Sequence, residues 1–198
     1  PRIWMIPVQL LRSENPGFRS RAAFLIIRST KNARMAQRRM DEADVEMREM
    51  AVQALWGLKT QQSIDVFRIA ERDREPRVSA CGLVGLYLAG YPSAIAELFH
   101  RTESDHPGVR SSSAWAMGQI RDVRCEAPLR TLCVDRDPDV RQTAATALAT
   151  LLANPRTEAP ELERLPERRP FNPLNLTVRP APKRWRPLGP AGPVVWRQ

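Results

Sequence analysis

The chain has almost no lysine. Of its 31 basic residues, only Lys31, Lys59 and Lys183 are lysine; the others are arginine. Histidine is scarcer still, confined to His100 and His106. The three cysteines, Cys81, Cys125 and Cys133, include no CxxC pair. An odd, unclustered set argues against a disulfide framework and a zinc site, and points to reduced thiols in a disulfide-poor compartment. Cys81 is expected as a small core residue. The longest apolar run, Ala22 to Ile27, falls far short of the roughly 20 residues that span a bilayer, so no membrane span is expected. A glycine-rich phosphate loop and a nucleophile elbow are both missing. With so few candidate groups, we expect no catalytic residues, no cofactor, no metal and no small-molecule substrate.

What the chain does have is a period. Pro76-Arg77-Val78-Ser79, Pro107-Gly108-Val109-Arg110 and Pro138-Asp139-Val140-Arg141 stand 31 residues apart, and Val45-Glu46-Met47-Arg48 keeps that spacing without the proline. A fixed period of this length marks stacked structural repeats. Apolar residues at helical spacing come after each phrase: Ala51, Ala54, Leu55 and Leu58; Ala114, Met117 and Ile120; Ala144, Ala147, Leu148 and Leu151. Proline suits the first helical turn, where its missing N–H would have no partner. Asp137 is a good N-cap; Glu75 and His106, at the same position, are weaker ones. Each unit then carries a second, shorter apolar run: Ile64, Phe67 and Ile69; Ile95, Leu98 and Phe99; Leu129 and Leu132. Break signals such as Gly90-Tyr91-Pro92 separate the two runs, so each unit reads as helix A, turn, helix B. Ala54, Gly85, Ala116 and Ala147 share one register position, where a small side chain lets adjacent helices approach closely. Trp56, Tyr87 and Trp115 fall in the A helices, where they are expected as core or inter-repeat packing.

The phrase Asp137-Pro138-Asp139-Val140-Arg141, with Ala144 and Ala147-Leu148 after it, resembles the HEAT-repeat family, in its short-repeat, bilin-lyase-like branch. The resemblance covers about residues 45–152. It implies an all-α fold, an α-solenoid of about four to five HEAT-like helical hairpins, with extended basic termini. HEAT arrays act as scaffolds and adaptors and, rarely, as enzymes. The deoxyhypusine hydroxylases among them hold iron with repeated His-Glu pairs, but here His100 and His106 precede Arg101 and Pro107. The expected divisions are an N-terminal arm at 1–15, a solenoid at 16–165 with units at about 16–44, 45–75, 76–106, 107–137 and 138–165, and a Pro/Arg-rich tail at 166–198. The unit at 16–44 rests on Pro16-Gly17-Phe18-Arg19-Ser20, which echoes Pro107-Gly108-Val109-Arg110-Ser111 out of strict period.

The net charge of +9 is uneven. Residues 45–154 are almost neutral, and the excess lies in 1–44 and 155–198. Within the array, Arg48, Arg110 and Arg141 form a column that Ser79 breaks. Such a column is either a basic strip or an internal ladder, each arginine pairing with an acid such as Asp105, Asp135 or Asp137; the array's neutrality favours the ladder. Arg34, Arg38 and Arg39 give the second helix of the first unit a basic face. Arg179, Lys183, Arg184, Trp185 and Arg186, with Trp196 beyond, combine phosphate-binding groups with stacking rings. Ten of the 18 prolines lie in 155–198, so this stretch is expected to be extended. It reads as an RNA-binding arm, a charge-rich linker, or an arm laid on another protein with Trp185 and Trp196 as anchors.

Basic arms on a neutral body suit a non-catalytic structural subunit of a large assembly, with neighbouring protein subunits as partners. The arginine-rich start at Pro1, without an acid until Glu14, fits a chain from which an organellar transit peptide has been removed. The expectation is a mitochondrial (matrix) ribosomal protein contacting rRNA. The rival is a protein-only scaffold, such as an accessory subunit or assembly factor of a respiratory complex, with apolar docking through Trp4, Trp185 and Trp196.

Overall fold

The computed structural model describes residues 9–156. They lie within one compact unit. Most of the expected arm (residues 1–8) and all of the tail at 166–198 fall outside the described residues.

Nine α-helices occur among the described residues: α1 (Pro16–Thr30), α2 (Ala33–Arg39), α3 (Val45–Gln53), α4 (Gln61–Glu71), α5 (Pro76–Leu88), α6 (Ser93–Arg101), α7 (Pro107–Ile120), α8 (Glu126–Leu132) and α9 (Pro138–Ala153). One turn of 3-10 helix at Val123–Cys125 leads into α8. The odd-numbered helices pack in series, α1 on α3, α3 on α5, α5 on α7 and α7 on α9. The even-numbered helices are shorter and fill between them, α4 against α5, α6 between α5 and α7, α8 against α9. The fold is therefore the all-α array of helical hairpins that the period implied.

Local chemistry sets the helix starts. Pro16, Pro76, Pro107 and Pro138 all open odd-numbered helices. Asp137 caps α9 by accepting from the Asp139 and Val140 N–H groups, whereas Glu75 and His106 make no side-chain cap. Asn15, Asp44 and Thr60 cap α1, α3 and α4 in the same way as Asp137. Each such cap is worth about 1 kcal/mol. Gly90 takes φ of 98°, a left-handed conformation that turns the chain from α5 into α6.

The core runs along the inner faces of these hairpins. Phe67, Tyr87, Leu55, Ile64, Leu98, Met117 and Leu129 are all buried. The shared small position does what the spacing implied: Ala54, Ala116 and Ala147 are buried, and Gly85 sits under the Phe67 ring, where a Cβ would overlap it. One turn on from Trp115, Gly118 brings α7 against α9; a Cβ there would stand 2.8 Å from the Ala147 Cβ. Cys81 is buried, as expected.

Three expectations need correction. Trp56 lies beyond the end of α3, in the turn at 54–57, and is half-buried like Trp115. Tyr87 is core, and Trp56 and Trp115 pack between repeats, ring beside ring. Ile69 is 42% exposed, because it comes two residues after Phe67 and so leaves the packed face of α4. Leu148 is only half-buried, because α9 is the last described helix and nothing described packs beyond it.

Candidate functional site

Two of the three arginines of the column, Arg48 and Arg110, form an internal ladder. Arg48 grips Asp73 with two bonds, Nε to Oδ2 at 2.8 Å and Nη2 to Oδ1 at 3.1 Å. Arg110 grips Asp135 in the same way, at 2.8 and 2.7 Å. In each case the remaining amino group, Nη1, donates to two carbonyls of the preceding loop: Glu42 and Ala43 for Arg48, Ser104 and Asp105 for Arg110. The aspartates also accept from the N–H two residues on, Glu75 and Asp137, and so shape the turn into the next helix. Each rung thus ties three segments together: the loop before one odd helix, the helix itself, and the loop before the next. The Asp73 hydrogen bonds raise the Arg48 pKa, and Arg110 lowers that of Asp135.

Two positions vary the pattern. At the broken rung, Ser79 and Ser104 replace both partners; the Ser79 hydroxyl donates to the Glu71 carbonyl and accepts from Arg101 Nη1 at 2.6 Å. Arg101, held by Glu97 at 2.8 Å, supplies the missing guanidinium from α6. At the first rung, Arg19 Nη1 donates to Ser13 and Glu14 as the others do, and Nη2 stands 4.0 Å from Asp44. Sequence reasoning omitted Arg19 from the column. The signal was there, since Arg19 stands after Pro16 as Arg110 stands after Pro107. Arg141 donates Nη1 to the Asp135 and Arg136 carbonyls, but its Nε and Nη2 have no partner among the described residues.

A second polar cluster was not foreseen. Asp122 is 3% exposed and receives Arg124 through a two-bond fork, at 2.9 and 2.7 Å, and the Tyr87 hydroxyl as a third donor. The fork holds the Asp122 pKa down to about 2, against the opposing effect of burial. Burial, with the Asp122 charge beside it, pushes Tyr87 up to about 12. Fully donated to, the carboxylate joins α5 to the α7–α8 turn; it is a structural tie.

Cations without such ties gather at α2. Arg34 and Arg38 are exposed and one turn apart, and neither has a partner among the described residues. With Asn32, Met35 and Arg39 they line a concavity of about 460 Å³. Arg39 differs: it is half-buried and bonded to Glu42 at 2.7 Å. The structure therefore brings together Arg34 and Arg38 of the expected basic face and commits Arg39 elsewhere. Arg179, Lys183, Arg184, Trp185, Arg186 and Trp196 lie outside the described residues.

On the odd-helix face, Arg77 lies over the Trp115 ring, 3.4 Å from its centroid, and donates Nε to Glu49 at 3.1 Å. Trp56 stands beside Trp115 with ring centroids 6.0 Å apart, its indole N–H donating to the Cys81 carbonyl. A groove of about 240 Å³ opens next to them, floored by Gly118 and Ala147 and walled by Gln119, Gln142 and three threonines. On α1, Phe18 and Leu25 are 50% and 54% exposed, two turns apart on one side of the helix.

Among the described residues, no group of His, Cys, Asp and Glu could hold a metal ion, and no helix is long and apolar enough to cross a membrane. Comparison with curated proteins finds no match. The sequence does match HEAT repeats, over residues 69–149 and 95–168. With that match, the serial packing of the hairpins and the periodic rungs between them, the chain belongs to the HEAT-repeat family.

Proposed function

We propose that this chain is a non-catalytic scaffold subunit of a larger assembly, with a body that meets protein and cationic ends that meet RNA phosphate. HEAT arrays are helical-repeat surfaces for protein–protein contact. One observation carries the RNA half of the reading. The rung arginines at 19, 48 and 110 are turned onto carbonyls and aspartates of their own chain, whereas Arg34 and Arg38 project unpaired into one concavity. A planar guanidinium binds phosphate through a two-bond fork, so a pair of free ones one turn apart suits a phosphate backbone. The tail adds Arg179, Lys183, Arg184 and Arg186 with Trp185 and Trp196, a composition that stacks on bases and neutralises phosphates.

The assembly we favour is a mitochondrial ribosome, in the matrix, on the use of arginine over lysine. A second reading has its own support. Phe18 and Leu25 offer an apolar stripe, and the Arg77–Trp115 pair has the residue types that anchor protein interfaces. A protein-only scaffold, such as an accessory subunit or assembly factor of a respiratory complex, would use these surfaces instead.

Isolation of the native particle that contains this chain decides between them. Ribonuclease-sensitive RNA in that particle, crosslinked on irradiation to α2 or to 179–186, is expected. A particle free of RNA would overturn the ribosomal reading and leave the protein scaffold.

A further inference from the structure

One seam between odd helices is left open. Between α5 and α7, the Trp115 ring packs under the Arg77 guanidinium, 3.4 Å from centroid to cation, and so bridges the seam. One period on, the positions of Arg77 and Trp115 hold Gly108 and Thr146, so no such pair bridges α7 and α9. Gly118 departs in the same sense: its counterparts in the two earlier units are Trp56 and Tyr87, both rings. The result is the groove of about 240 Å³ floored by Gly118 and Ala147, with Trp115 and Gln119 on the α7 side and Gln142, Thr146 and Thr150 on the α9 side. It is smaller than the roughly 300–1,000 Å³ of small-molecule sites, and suits a side chain or two of an extended segment.

The chemistry of the walls identifies an occupant. Arg77 alone of the residues lining the groove is charged. Trp115 holds one face of its guanidinium, and Glu49 accepts from Nε at 3.1 Å. Gln53 donates to the same Glu49 oxygen at 2.7 Å, so that carboxylate is shared. Nη1 and Nη2 of Arg77 have no partner among the described residues. A cation held on two sides with one edge free is preorganised for a carboxylate, because little ordering remains to be done on binding. The other walls are neutral and suit a peptide backbone. The Gln119 and Gln142 amides make no hydrogen bond among the described residues, and each offers a donor and an acceptor. The Thr146 and Thr150 hydroxyls donate to carbonyls four residues back in α9 and keep oxygen lone pairs for an incoming N–H. A phosphate backbone takes several unpaired cations along its length, whereas this groove has one, already shared with Glu49.

We infer that the groove between α7 and α9 binds an extended acidic segment of a partner protein, with an Asp or Glu carboxylate on Nη1 and Nη2 of Arg77 and a small apolar side chain two residues away seated on Gly118 and Ala147. In an extended chain, residues two apart share one face, so both contacts are made at once. The inference rests on the reading that the body of the array meets protein, which the ribosomal and the protein-only assemblies share.

Selection of random peptides, displayed on phage, against the full chain tests it, with the affinities of enriched sequences measured by fluorescence anisotropy. Those sequences should carry Asp or Glu two residues from Ala, Val or Leu. Replacing that acid by its amide should weaken binding about ten- to hundredfold, and Arg77→Gln should do the same. The two losses should not add, because both remove one fork. Thr146→Trp gives this seam the ring that the α5–α7 seam has. It should abolish binding with the melting temperature almost unchanged, which keeps the test decisive if Arg77→Gln folds poorly. Enrichment without an acid, full affinity in Thr146→Trp, or additive losses would overturn the assignment. So would an affinity for a poly-U oligonucleotide that Thr146→Trp removes, which would make the groove an RNA surface. Each of these results leaves the scaffold reading standing on Phe18 and Leu25, whereas a native chain isolated without protein neighbours would end that reading whatever the groove binds.

Discussion

Arg110 and Asp135 meet through two parallel bonds, Nε to Oδ2 at 2.8 Å and Nη2 to Oδ1 at 2.7 Å, while Arg110 Nη1 reaches back to Ser104 at 2.8 Å. The pair is nearly closed off from solvent, with side-chain exposures of 6% and 9%. Removing the arginine strands a shielded carboxylate and frees two loop carbonyls at once. Arg110→Met should therefore lower the melting temperature by several degrees, more than Arg141→Met, whose guanidinium is exposed and bonded only to loop carbonyls. Thermal melts of the two variants side by side make the comparison; equal losses would mean that the rung contributes little beyond the surface.

Asp122 makes stability depend on acid. Its folded pKa of about 2 lies below the ordinary carboxylate value of about 3.9 that it regains on unfolding. The unfolded chain thus takes up the proton first, and the stabilisation, fully present above about pH 4, is lost as pH falls toward 2. Asp135, also lowered, adds to the same limb. At the other end, Tyr87 is raised to about 12, so its contribution is intact below about pH 10 and lost as pH rises through 12. Denaturation measured against pH should show both limbs. Asp122→Asn should flatten the acid limb and lower stability at neutral pH; Tyr87→Phe should flatten the alkaline one.

Gly118 is a contact glycine. A side chain there meets Ala147 at 2.8 Å, and α7 and α9 would have to part. Gly118→Val should cost about 1–3 kcal/mol in chemical denaturation. Ala96→Val, on the exposed side of α6, should stay within about 0.5 kcal/mol of the parent chain.

The thiols should separate by burial. Cys81 and Cys125 are buried and pushed up to about 12, mainly by burial, whereas Cys133 is half-buried. Alkylation of the native chain should modify Cys133 first, with Cys81 and Cys125 reacting only on unfolding. Peptide mapping reads the order directly, and early labelling of Cys81 would mean that the α3–α5 contact opens readily.

Much of the architecture was legible because the repeat wrote it several times. Pro76, Pro107 and Pro138 mark helix starts, and the Ala54–Gly85–Ala116–Ala147 register marks helix contacts. The ladder was legible as an alternative, since an array near neutrality with a column of arginines must pair most of them internally. Its partners were harder to read: Arg110 chose Asp135 over Asp105 because the fork needs the loop before the next helix, a three-dimensional neighbour. Arg101's stand-in at Ser79 left no sequence trace, because it comes from the other helix of the hairpin. The basic face was legible as Arg34, Arg38 and Arg39, yet Glu42, three residues past Arg39, already takes the last of them. Trp56 and Trp115 read as core or inter-repeat packing because their spacing is helical; they take the second role, half-covered at the edge of a helix face, and the Arg77 guanidinium completes the cover of Trp115.

The division between rung arginines and binding arginines is tested most directly by the salt dependence of binding to a poly-U oligonucleotide. The parent chain should bind with an affinity that falls linearly in log salt, by about 0.7 per phosphate contacted. Neutralising Arg34 and Arg38 to glutamine, and separately Arg184 and Arg186, should reduce that slope with the melting temperature almost unchanged. Arg48→Gln and Arg110→Gln should do the reverse, lowering the melting temperature and leaving the slope intact. A slope carried by Arg48 and Arg110, or no salt-sensitive binding by the parent chain, would contradict it.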